Sequence, residues 1–143
     1  MTSTLYLKGL EVALDALMQE SAAPSGTIKL VYMATSYTPN VGTHQFYSDI
    51  SASVASGAPT ETLANIDVRI DTGNARVEVD ADDVTEPGIT CTTNKFVIYL
   101  DTGVAATSPL IACIDIAEGT LSPVAGTLAI TFNAEGIFAV TPS

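Results

Sequence analysis

The stretch IDVRIDTGNARVEVD, residues 66–80, decides the fold class. Ile66, Val68 and Ile70 alternate with Asp67, Arg69 and Asp71 as far as Thr72-Gly73-Asn74; beyond that turn, Val77 and Val79 alternate with Arg76, Glu78 and Asp80. Successive side chains of a strand point to opposite faces, so this alternation predicts a hairpin with one apolar face and one wet face. Toward the C-terminus, Phe96 to Leu100 (FVIYL) and Leu110 to Ile116 (LIACIDI) are apolar on both faces, as central strands of a sandwich are. Leu128 to Phe132 (LAITF) and Ile137 to Val140 (IFAV) read as a closing hairpin across Asn133 to Gly136.

Toward the N-terminus, Thr27 to Ala34 (TIKLVYMA) reads as another doubly apolar strand. Ser36 to Gly57 is too polar for a central strand, and a helical turn fits Phe46 to Ile50. Ahead of these, Leu7, Leu10, Leu14 and Leu17 recur at helical steps, which predicts a helix over about residues 7–20. Ser3 or Thr4 is available as its cap, Ser21 to Gly26 with Pro24 ends it, and Gly9 argues for a start near Leu10. These readings predict a mainly β chain: a single antiparallel β-sandwich domain spanning residues 1–143, with one N-terminal α-helix. A jelly-roll strand order is among the arrangements open to it.

Charged residues are 15% of the chain against about 25% in an average domain, and 47% are hydrophobic, so apolar surface beyond one core is expected, covered by copies of itself or by a partner. Sixteen acidic residues face five scattered basic ones, giving a net charge of −11. Without a basic patch, nucleic acid and anionic membranes are not expected partners. The N-terminus lacks the pattern of a signal peptide, and no apolar run reaches membrane-spanning length, so a soluble protein made in a cytoplasm is expected. Cys91 and Cys113, without CxxC spacing or a nearby histidine, read as reduced, buried small hydrophobes.

Groups that carry chemistry are few. Asp-Thr-Gly occurs at Asp71–Gly73 and at Asp101–Gly103, the second after an apolar run as in an aspartic protease. That chemistry needs two carboxylates sharing a proton, whereas Asp, Thr and Gly are also what a turn between strands calls for. Asp80, Asp82, Asp83 and Glu86 form an acidic cluster without EF-hand spacing, which reads as a solvated loop. His44 is the one histidine, and neither a G-x-S-x-G elbow nor a phosphate-binding glycine loop is present. No catalytic residue, cofactor or metal site is therefore expected.

The succession L-Y-x-x-G-L (Leu5 to Leu10), S-Y-T-P-N (Ser36 to Asn40), D-A-D-D-V-T (Asp80 to Thr85) and V-I-Y-L-D-T-G…A-T-S-P-L-I-A-C-I-D-I (Val97 to Ile116), closing on Gly136-Ile137, resembles a family of small virion structural proteins of tailed bacteriophages. The resemblance covers nearly the whole chain. It implies a head decoration or cement protein, or a minor tail, baseplate or fibre component, with no catalytic residues. The expected partners are then the major capsid protein and further copies of the chain, as a trimer or dimer, on the virion surface. Leu5, Tyr6, Tyr37, Phe46 and Tyr47 are the candidate interface residues, chosen for position and composition, aromatic side chains being common anchors. A carbohydrate-binding module and an acid protease remain as readings of other classes. The absence of Trp counts against the first, and the spacing of the two Asp-Thr-Gly motifs against the second.

Overall fold

The computed structural model describes residues 4–18 and 27–142. It is mainly β, with antiparallel sheets and one N-terminal helix. Helix α1 (Leu7–Met18) precedes β1 (Thr27–Met33); a short helix α2 (Tyr47–Ile50) and a 3-10 turn (Ser51–Ser53) follow. Then come β2 (Thr60–Thr62), β3 (Asp67–Asp71), β4 (Arg76–Asp80), β5 (Val84–Ile89), β6 (Lys95–Asp101), β7 (Leu110–Asp115), β8 (Gly126–Ile130) and β9 (Phe138–Val140). One sheet has the order β2-β1-β6-β7; opposite it lie a β3-β4-β9 sheet and a β5-β8 pair.

The packing is sandwich-like, and strand alternation explains how it fills. Ile28, Leu30, Tyr32, Phe96 and Ile98 point from one face of the four-stranded sheet into a cluster with Val68, Val77, Val79, Val84, Leu128 and Ile130. Leu7, Leu10, Leu14 and Leu17 pack one stripe of α1 against the same cluster. That stripe outweighs Gly9, whose helical cost is about 1 kcal/mol. The helix therefore starts at Leu7 and not near Leu10, with Tyr6 in the cap position: its carbonyl accepts from the Leu10 N–H at 3.1 Å. The expected cap Ser3, the last predicted helical residues and the terminator Ser21 to Gly26 lie outside the described residues.

The 66–80 hairpin forms in the predicted register, Val68 facing Val79 and Ile70 facing Val77. The predicted closing hairpin does not. β8 pairs with β5, and β9 pairs with β4, so the two strands belong to different sheets, with an Asn133–Gly136 bridge in the connection between them. Gly136 turns the chain: its φ is 90°, a Cβ there would lie 2.4 Å from the Val79 carbonyl oxygen, and the next N–H, of Ile137, donates to that oxygen at 2.7 Å. β7, expected as a central strand, is at the sheet edge, its start covered by the Phe46–Pro109 bridge and the Leu110 N–H donated to Gln45 O.

The second face of the four-stranded sheet is filled from within the chain. Val31, Met33, Val97 and Tyr99 project there and are covered by Tyr37, Tyr47, Ile50 and Val54. Residues 34–57 are thus a lid on the sheet. They are tied down by the Ala34 N–H to Ser53 O at 2.8 Å and the Ala55 N–H to Tyr32 O at 2.9 Å. The Asp49 carboxylate organises the lid's helical turn by accepting the N–H groups of Phe46 and Gln45 at 2.9 and 3.0 Å. These bonds, Phe46's foremost, hold its carboxyl below the usual range.

Candidate functional site

The five candidate interface residues divide into two groups. Leu5 and Tyr6, in the segment entering α1, are 52% and 78% exposed, and Val12 on the helix is 57% exposed. Phe46 is 40% exposed. Tyr37 and Tyr47, expected as exposed aromatics, are instead part of the lid: Tyr37 is buried, and the Tyr47 ring stacks on Tyr99 with centroids 4.6 Å apart. An aromatic in a polar loop looks like a surface anchor in sequence; here the loop's own job of covering Val97 and Tyr99 takes both rings inward.

Tyr37 also stacks on His44, whose Nδ1 accepts the Asn40 N–H at 3.2 Å and lies 3.2 Å from the Tyr37 hydroxyl. With Val41, Leu110, Ile111 and Cys113 these side chains line a groove of about 230 Å³ between the lid and β7. Its other ionisable groups, the Tyr37 hydroxyl and the Cys113 thiol, are both raised by burial, which disfavours their charged forms.

Both Asp-Thr-Gly aspartates are occupied by turns and cations. Asp71 Oδ2 accepts from Asn74 Nδ2 at 2.6 Å and pairs with Arg76 at 3.3 Å. Asp101 pairs with Lys29 at 2.7 Å and accepts the Gly103 N–H at 2.9 Å. Hydrogen bonding to Asn74 lowers the first carboxyl and bonding to Lys29 lowers the second, whereas a proton-sharing dyad needs one of its carboxyls raised.

The acidic cluster disperses in the fold. Asp80 pairs with Arg69 at 3.5 Å, Asp82 accepts from Asn65 Nδ2 at 2.5 Å, and Asp83 accepts the Phe132 N–H at 2.8 Å. Among the described residues, no three or more His, Cys, Asp or Glu side chains gather in one place. Both cysteines are free, and burial raises both thiols, so neither is an activated nucleophile. No helix among the described residues is long and apolar enough to cross a membrane.

The polar face of the hairpin holds a charge network that alternation alone did not reveal. Glu78, 6% exposed, accepts from Arg69 Nε at 2.9 Å and from Arg76 Nη2 at 2.8 Å, and Arg69 Nη2 reaches across to Ala134 O at 2.7 Å. It clamps the segment between β8 and β9 onto the hairpin. Neither a protein-family model nor any curated protein matches the chain.

Proposed function

We propose that the chain is a structural protein of a tailed-bacteriophage virion, a decoration or cement protein. It docks on the shell of the major capsid protein and associates with further copies of itself as a trimer or dimer. It acts through buried interface and without chemistry, each copy adding a small stabilisation that shell symmetry multiplies.

The observation that carries this reading is the pair Leu5 and Tyr6, exposed just ahead of α1 in a molecule that has already filled both faces of its main sheet from within. Two adjacent apolar side chains projecting together suit contact with another protein, and a projecting tyrosine is a common interface anchor. The dispersed acids and cation-held aspartates agree with a non-enzymatic role.

Co-sedimentation with shells of the major capsid protein tests it. Replacing Leu5 and Tyr6 together by Asp is expected to weaken shell binding by about tenfold or more while leaving the melting temperature of the free protein within about 2 °C. Unchanged sedimentation of this folded variant would remove the N-terminal segment from the interface and with it the observation on which the reading stands.

A further inference from the structure

Among the described residues, two buried side-chain atoms have no hydrogen-bond partner, the Tyr32 hydroxyl and Glu61 Oε1. Strand register puts them side by side. Glu61 on β2 lies directly opposite Leu30 on β1, so its side chain shares the inner face with Leu30. Tyr32, fully buried two residues further along β1, is its diagonal neighbour on that face.

The opposite layer contributes a second carboxylate. Glu86 on β5 pairs with Leu128, which is 1% exposed, so Glu86 also points inward. Immediately after it β5 bulges, the register shifting between Glu86 and Ile89 around Gly88 at φ 72°. Such bulges re-aim the neighbouring side chain. The three groups sense one another: after burial itself, the charges of Glu61 and Glu86 are among the causes that raise the Tyr32 phenol, and Glu86 adds to the burial that raises Glu61. Cys91 is the further ionisable group acting on the phenol, and burial keeps its thiol protonated.

Among the described residues, the Lys and Arg side chains are all engaged elsewhere. Lys8 pairs with Glu11, Lys29 with Asp101, and Arg69 and Arg76 with Glu78; the Lys95 ammonium donates to Tyr37 O. Two inward carboxylates and a phenol offer only oxygen donors, the set that suits a hard cation and not zinc or copper.

We propose that Glu61 and Glu86, with the Tyr32 hydroxyl, bind one divalent cation of the calcium class between the two layers, fastening the three-residue edge strand β2 to β5. Water completes the coordination. With only two carboxylates, the dissociation constant falls at the weak end of protein calcium sites, about 10⁻⁴–10⁻³ M.

Isothermal titration of calcium chloride into the chelator-treated full chain at neutral pH tests this, alongside thermal melting with and without millimolar calcium. Saturable binding near one ion per chain and a higher melting temperature are expected. Glu61→Gln and Glu86→Gln are each expected to weaken binding by roughly tenfold, since ligand charge sets affinity. Glu118→Gln, which removes an exposed carboxylate elsewhere, should bind as the parent does and so separates a site from diffuse screening of an acidic protein. An absence of saturable heat, or an equal loss in Glu118→Gln, would overturn the proposal. So would a melting temperature that rises as pH falls but ignores calcium, which would assign the two carboxylates a shared proton instead.

Discussion

Glu78 and Glu61 are both carboxylates largely withdrawn from water, Glu78 under the arginines of the hairpin's polar face and Glu61 on the inner face of β2, and their surroundings give them opposite consequences. Glu78 is held between two guanidinium groups, bonds of the charge-assisted kind worth about 1.5–3 kcal/mol each. Its arginines keep some contact with water, so Glu78→Gln is expected to cost about 1–3 kcal/mol in urea unfolding and not the larger penalty of a stranded buried charge. Glu61 has no such partner, and burial followed by Glu86's charge raises its carboxyl. The folded chain therefore holds that proton more tightly than the unfolded one. The stability it contributes is fully present below the unfolded glutamate value of about 4.3 and is lost as pH rises through the raised folded value. Asp71 and Asp101, both lowered, run the other way: their contribution stands above about pH 4 and is lost as acid titrates them. In chelator at neutral pH, Glu61→Gln should melt a few degrees above the parent, and the gap should close as pH approaches about 4. A gap that persists there would mean Glu61 acts through something other than its charge. None of this was legible in the sequence, because Glu61 and Glu86 meet only through the pairing of β2 with β1 and of β5 with β8.

Elements read well where the deciding forces are local. The 66–80 hairpin carries its alternation and its turn in consecutive residues, and Asp71 closes that turn on the Asn74 side chain, as turn chemistry predicts. β5 escaped notice because Pro87 and Gly88 break its pattern, and those two residues make its bulge. β8 and β9 misled because neighbours in sequence usually pair, whereas Gly136 redirects the chain to β4. Gly136→Ala should destabilise by more than about 2 kcal/mol, since the substitution meets both a positive φ and the Val79 carbonyl. The lid was the hardest element to read: polar residues dominate segment 36–57, and its few apolar ones look like surface contacts until β1 and β6 are seen to need a cover. Ile50, fully buried in that lid, gives the test; Ile50→Ala should cost about 2–5 kcal/mol by equilibrium unfolding. A cost near zero would mean that the second face of the sheet does not depend on its lid.

At the scale of the molecule, the surplus of apolar residues over charge divides between two uses. Part serves the second cluster under the lid, which accounts for the doubly apolar β1 and β6 without any partner. Part of the rest stays outside, at Leu5, Tyr6, Val12, Val41, Phe46, Val104 and Val124; of the five interface candidates, Leu5, Tyr6 and Phe46 keep an exposed side chain. Charge supplies the complement: every basic side chain is engaged by an acid or a carbonyl of its own chain, so the net −11 is presented largely uncompensated. A partner surface is then expected to be basic, and association with shells should slow as ionic strength rises past about 0.1 M. The central claim, a structural protein present on the capsid in many copies, is tested most directly by counting this protein against the major capsid protein in purified virions by quantitative mass spectrometry. A copy number comparable to that of the capsid protein is the predicted result; a handful of copies, or none, would contradict it.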